Sequence, residues 1–80
     1  MTHWIHKANI KQYLSADDSV ESMERARDGI FKELDKLPVP PPDAFGHYAE
    51  LAIEQDDVAI FNLGMARLYD WADENRIWLG

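Results

Sequence analysis

The 80-residue chain contains no cysteine, so neither a disulfide framework nor a thiolate metal site supplies stability. That absence suits a reducing compartment, and a cytoplasmic location is the expectation. No apolar run approaches the ~18 residues of a membrane span, and Met1-Thr2-His3-Trp4-Ile5-His6-Lys7 has no secretory hydrophobic region, so neither membrane nor signal peptide is expected. Glycine is sparse and scattered: Gly29, Gly46, Gly64 and Gly80 stand alone, which excludes a glycine-rich phosphate loop. Serine occurs only as Ser15, Ser19 and Ser22, at a helix start where capping accounts for it. With these residue types missing or spoken for, no enzymatic activity and no cofactor are expected.

Basic residues are also few. Fifteen acids against eight bases give a net charge of −7, unevenly spread. Residues 1–14 carry +2 through Lys7 and Lys11, residues 15–37 carry −3, and residues 38–80 carry −6. Phosphate backbones repel such a chain, so direct nucleic-acid binding is disfavoured and a basic protein surface is the natural complement.

What is present is apolar material arranged at helical spacing. Hydrophobic residues make up 46% of the chain, with three Trp, three Tyr and three Phe, ample for one small core. The periodicity predicts an all-α single domain, a small bundle of three main helices behind a short leading one, with no strand. The leading helix runs from Asn9, its cap, to Leu14, preceded by an arm that Trp4 and Ile5 anchor. The second spans about Ser19 to Leu37, with Asp18 as cap in a capping box that ends at Glu21. Val20, Met23, Ala26, Ile30, Phe31, Leu34 and Leu37 form its inner arc, and Gly29 lies opposite at a cost of ~1 kcal/mol. Pro38-Val39-Pro40-Pro41-Pro42 ends it and serves as a stiff strap inside the domain, a proline-rich ligand for another protein being the alternative. The third helix is Asp43 to Gln55, with Ala44, Tyr48, Leu51 and Ala52 inward and Phe45, Ala49 and Ile53 widening that face. After the break at Asp56-Asp57, the fourth runs from Val58 to Glu74, with Asn75 as a left-handed terminator. Phe61, Leu68, Phe31, Leu34 and Leu51 are the expected centre of the core.

At ~100° per residue the fourth helix divides in two. Tyr69, Val58, Met65, Ala72, Phe61, Leu68, Gly64, Trp71 and Ile60 fill an apolar arc, which the third helix and the amino-terminal arm are expected to cover. Asp70, Asp73 and Glu74 share the other arc with Asn62, Leu63 and Arg67. Asp56, Asp57, Leu63, Arg67, Asp70, Asp73, Glu74 and, in the tail, Trp78 are therefore the candidate partner-binding residues. Arg27 interrupts the apolar arc of the second helix; its stem is expected to pack on Phe31 and its head to pair with Glu24 or an acid from another helix, the alternative being that it belongs to a partner site. Met1-Thr2-His3 offers nitrogen donors of a kind suited to Cu(II) or Ni(II), and His47, Glu50 and Glu54 share one helix face. Neither set completes a metal site: the paired Glu-x-x-His pattern of di-metal bundles is missing.

In size, acidity and helical character, though in no motif, the chain is similar to inhibitors of basic nucleic-acid-handling proteins, such as nuclease immunity proteins and phage anti-restriction or anti-CRISPR proteins. The expected function is non-enzymatic binding of a basic protein. A structural or assembly role, through a homodimer built on the broad apolar face, is the alternative.

Overall fold

The computed structural model describes residues 4–14, 17 and 19–80. In chain order these form β1 (His6–Lys7), a single 3₁₀ turn (Lys11–Tyr13), and the helices α1 (Val20–Leu34), α2 (Asp43–Gln55) and α3 (Val58–Glu74), followed by β2 (Ile77–Trp78). Three helices dominate, as the periodicity predicts, and α2 and α3 have the expected limits. Their ends are set locally. Pro42 stands immediately before α2, and Asp56 ends it in the left-handed conformation with φ 50°. Asp57 then caps α3, its carboxylate accepting from the Ala59 N–H at 3.0 Å.

At α1 the cap is Ser19, not the expected Asp18, which lies outside the described residues. The Ser19 hydroxyl accepts from the Ser22 N–H at 3.2 Å. The helix closes at Leu34, three residues short of the expected Leu37. Lys36 and Leu37 instead bond back three residues, to the carbonyls of Glu33 and Leu34. Pro38 disfavours helix in the residue before it, so the chain tightens before reaching the strap.

The core centres on Phe45, which is fully buried between Phe31 and Phe61, at ring-centroid separations of 5.2 and 6.2 Å. Ile10, Ile30, Leu34, Ala49, Ala52 and Leu68 are equally inaccessible. This rotates α2 from its expected phase: Phe45, Ala49 and Ala52 point inward, while Leu51 is only half-buried and stands outside the core cluster. The seven apolar residues of this helix span ~200° at helical spacing, with Ala52 and Phe45 at the middle of that arc and Leu51 at its edge. Ile60 and Trp71 are half-buried and pack on the core.

The two long apolar faces of α2 and α3 form the main helix contact, and Gly64 sets its closeness. A Cβ at position 64 would stand 2.9 Å from Tyr48 Cβ and 3.4 Å from the Phe45 carbonyl oxygen. Both neighbours are fixed to the α2 backbone, so relief requires the helices to part. Gly64→Ala is therefore expected to destabilise by about 1–3 kcal/mol through overpacking, against a gain of ~1 kcal/mol in helix propensity. Urea denaturation checks this, and a variant more stable than the native protein would contradict the close approach.

Gly29, expected to face outward, is buried in α1 beneath Tyr13, whose ring a Cβ at that position would overlap. It gives the 3₁₀ turn a place to lie. The Asn9 N–H donates to Glu33 Oε1 at 3.2 Å, tying the same segment to α1, so Asn9 does not act as the cap of a leading helix. Lys36, bonded to the other Glu33 oxygen at 2.7 Å, and then the Asn9 amide hold the Glu33 carboxyl below its ordinary range. The tie is thus complete at neutral pH and is lost as pH falls through that lowered range.

The largest departure is a parallel strand pair that joins the two ends of the chain. His6 lies opposite Ile77 and Lys7 opposite Trp78. The left-handed residue that turns the chain into β2 is Arg76, at φ 56°, not Asn75, whose side-chain amide instead donates to the Trp71 carbonyl at 2.8 Å. Trp4 and Ile5, the expected anchors, are exposed; Ala8, Ile10, Ile77 and Leu79 enter the core. Backbone bonds make the attachment, from Ile5 N–H to the Arg76 carbonyl, Ala8 N–H to Trp78 and Ile10 N–H to Leu79.

Candidate functional site

The outward arc of α3 is exposed as expected. Asn62, Leu63, Ala66, Arg67, Asp70, Asp73 and Glu74 all face solvent, and Leu63 keeps 56% of its surface accessible. Helical spacing brings Leu63, Arg67, Asp70 and Glu74 into one row, each three or four residues from the next. Asp73 stands beside Asp70 across the arc. Tyr69, assigned by periodicity to the apolar arc, lies at its margin and is 45% exposed. Its phenol hydroxyl is the signal that a marginal position can face water.

Asp56 and Asp57 are exposed too, but they lie at the other end of α3. At 1.5 Å rise per residue, Asp57 is separated from Asp70 by ~20 Å along the axis. That exceeds the screening length of ~8–10 Å at physiological salt, so the eight candidate residues do not form one electrostatic unit. Asp57 is also committed to capping. The acids at the carboxyl end form the coherent group.

Their position is unfavourable for the helix itself. Asp70, Asp73 and Glu74 crowd the negative end of the α3 dipole, and its last turn holds no basic residue. Such a placement in the last turn, as for Asp73 and Glu74, costs ~0.3–1 kcal/mol each at low salt. Among the described residues the ion pairs are Arg27 with Asp28 and Lys36 with Glu33, so none of these three acids has a basic partner within 4.0 Å. Four residues beyond Glu74, Trp78 is 39% exposed and carries the Lys7 ammonium 4.6 Å from its ring centroid. This cation–π contact fixes the indole at the protein surface.

Arg27 is half-buried, with its guanidinium Nε 3.0 Å from Asp28 Oδ1. The partner is the adjacent residue, not the expected Glu24, and the pair reaches solvent at the edge of α1. His47, Glu50 and Glu54 are exposed on α2, with the His47 ring against Tyr48. His3 lies outside the described residues. Among the described residues no group of three or more His, Cys, Asp or Glu is placed to hold a metal ion, and no helix is long and apolar enough to cross a membrane.

A cavity of about 190 Å³ opens between the first turns of α1 and α3, where Leu14, Met23, Val58 and Phe61 meet Asp17 and Asn62. Asp17 Oδ1 accepts from the Ser19 N–H at 3.0 Å, and Oδ2 accepts from the Ser19 hydroxyl at 3.2 Å. The Ser19 amide, then the hydroxyls of Ser22 and Ser19, hold this carboxyl below its ordinary range, so it is an anion at neutral pH. The lining comes from three separated segments, which explains why no sequence pattern announced it.

Compared with protein-family models, curated proteins and solved structures, the chain matches none.

Proposed function

We propose that this chain is a non-enzymatic protein-binding module that docks on a basic protein through the carboxyl-terminal half of α3. The observation that supports this reading most is the accumulation of Asp70, Asp73 and Glu74 towards the negative end of the α3 dipole, with no basic group within 4.0 Å of them among the described residues. Such an arrangement opposes folding, and a basic partner surface would relieve it on docking. Leu63, Tyr69 and Trp78 provide exposed apolar area beside these charges, the combination of steering rim and anchoring side chains found in protein interfaces. Arg67 adds a hydrogen-bonding group within the row. A partner that handles nucleic acid has the complementary basic groove, and occupying it would make this chain an inhibitor.

A homodimer would be built on the broad apolar face of α3. Within one chain that face packs chiefly on α2, with Phe61, Met65, Leu68 and Ala72 buried, so its breadth requires no second copy. Sedimentation at rising concentration separates the two readings: the binding module stays a monomer.

The test begins with affinity capture of a partner and continues with the paired substitutions Asp70→Lys and Asp73→Lys. Association is expected to slow about tenfold or more at low salt, with the difference shrinking as salt rises. The same variant is expected to melt no earlier than the native protein, because lysine suits the carboxyl end of a helix. Loss of binding without loss of stability separates a docking face from a structural one. Leu63→Ala and Tyr69→Ala are expected to speed dissociation instead. Unchanged association of the charge-reversed variant would refute the proposal.

A further inference from the structure

The cavity between α1 and α3 has a size and a charge that together select an occupant. Sites for drug-sized ligands run from about 300 to 1,000 Å³, whereas an apolar space of ~150 Å³ accommodates a benzene-sized body. At about 190 Å³, this cavity has room for one side chain. Met23, Val58 and Phe61 give it apolar walls, while Asp17 is exposed and its carboxylate is oriented by two bonds from Ser19.

An acidic side chain would meet the Asp17 anion on a protein of net charge −7. A purely apolar one would displace water from that anion and bring neither charge nor hydrogen bond to it. The amino ends of α1 and α3 border the cavity, but they do not make it an anion site. Ser19 Oγ and Asp57 Oδ1 occupy their capping amides, and Glu21 lies in the first turn of α1. Lysine and arginine combine an aliphatic stem with a cationic head, which matches walls of one kind and a mouth of the other.

We infer that this cavity receives a single lysine or arginine side chain of the basic partner, its stem against Met23, Val58 and Phe61 and its head at Asp17. The inference rests on the binding reading above and deepens it. Asn62 belongs both to the cavity lining and to the outward arc of α3, so anchor and acidic face are parts of one continuous surface.

The experiment needs no partner. The isolated protein, labelled at its methyl carbons, is titrated by NMR with n-butylguanidinium, n-butanol or butyrate at matched ionic strength. Butylguanidinium is expected to shift the Met23 and Val58 methyl resonances saturably, in the roughly millimolar range of so small a probe. Butanol should bind about twofold to fivefold more weakly, the margin an exposed ion pair supplies, and butyrate should leave these signals in place. Asp17→Asn is expected to abolish the advantage over butanol, whereas Glu50→Gln, exposed on α2 away from the cavity, should preserve it. Equal affinity for butanol and butylguanidinium, binding of butyrate, or no shift at the cavity methyls would each overturn the assignment. Because the α3 reading is decided by association with the captured partner, either one failing leaves the result for the other legible.

Discussion

Phe45→Ala is expected to cost about 3–5 kcal/mol, the largest loss from any single truncation in this protein. A domain of this length has ~4–12 kcal/mol in total, so the loss is a large share of it. Phe45 has no accessible surface and lies between the rings of Phe31 and Phe61, which belong to the other two helices. Removing it deletes both aromatic contacts and leaves a void in a close-packed interior. Leu51→Ala is the informative comparison. Periodicity put Leu51 at the inner centre of α2, but in the fold it is half-buried and outside the core cluster. Its truncation is expected to cost about 1 kcal/mol, near the typical value for point substitutions. Thermal melting of both variants checks the phase of α2: equal losses, or a larger one for Leu51→Ala, would mean that the helix is rotated from the orientation described.

The contrast between these residues shows what sequence alone reveals here. Helix limits were legible wherever a short-range signal sets them. Pro42 delimits α2, and Asp56 and Asp57 divide it from α3, so those boundaries coincide with expectation. Orientation about the helix axis was legible for α3, whose acidic row is exposed as read. On α2 the apolar residues cover ~200° at helical spacing, and Leu51, the expected centre, lies at the edge of that arc, whereas the buried Phe45 and Ala52 lie at its middle. Gly29 misled for a different reason. Its burial depends on Tyr13, from a segment that periodicity cannot place against α1. Two-residue strands have no periodicity at all; β1 and β2 exist because chain ends 71 positions apart meet in register, His6 against Ile77. In the candidate site, exposure of the acids followed from the pattern. Their division into two groups followed from helix length, and the cavity from contact between segments distant in sequence. The acidic row was readable because it repeats every three to four residues. The cavity was not, because nothing about it repeats.

Ile77→Ala tests whether that meeting of the chain ends belongs to the folded core. Ile77 is 1% exposed in β2, and its neighbours Ala8, Ile10 and Leu79 are buried in the same cluster. Its truncation is expected to cost about 2–5 kcal/mol, the range for a buried aliphatic side chain. Ile5, which bonds to the same turn through its backbone N–H, keeps 62% of its side-chain-bearing surface exposed. Ile5→Ala is therefore expected to change stability by no more than about 0.5 kcal/mol. The same residue type thus has opposite consequences in the two segments, because Ile5 is held through its backbone N–H alone whereas Ile77 buries its side chain in the core. Hydrogen exchange gives an independent check. The amides of Ile5, Ala8 and Ile10 donate to carbonyls of residues 76, 78 and 79, so in the native protein they should exchange slowly. In the Ile77→Ala variant they should lose protection together with the α3 amides if the strand pair is part of the cooperative unit. Should the ladder amides exchange quickly in the native protein, or should Ile77→Ala melt at the native temperature, the terminal strands would be an appendage, and the stability of the domain would reside in the three helices alone.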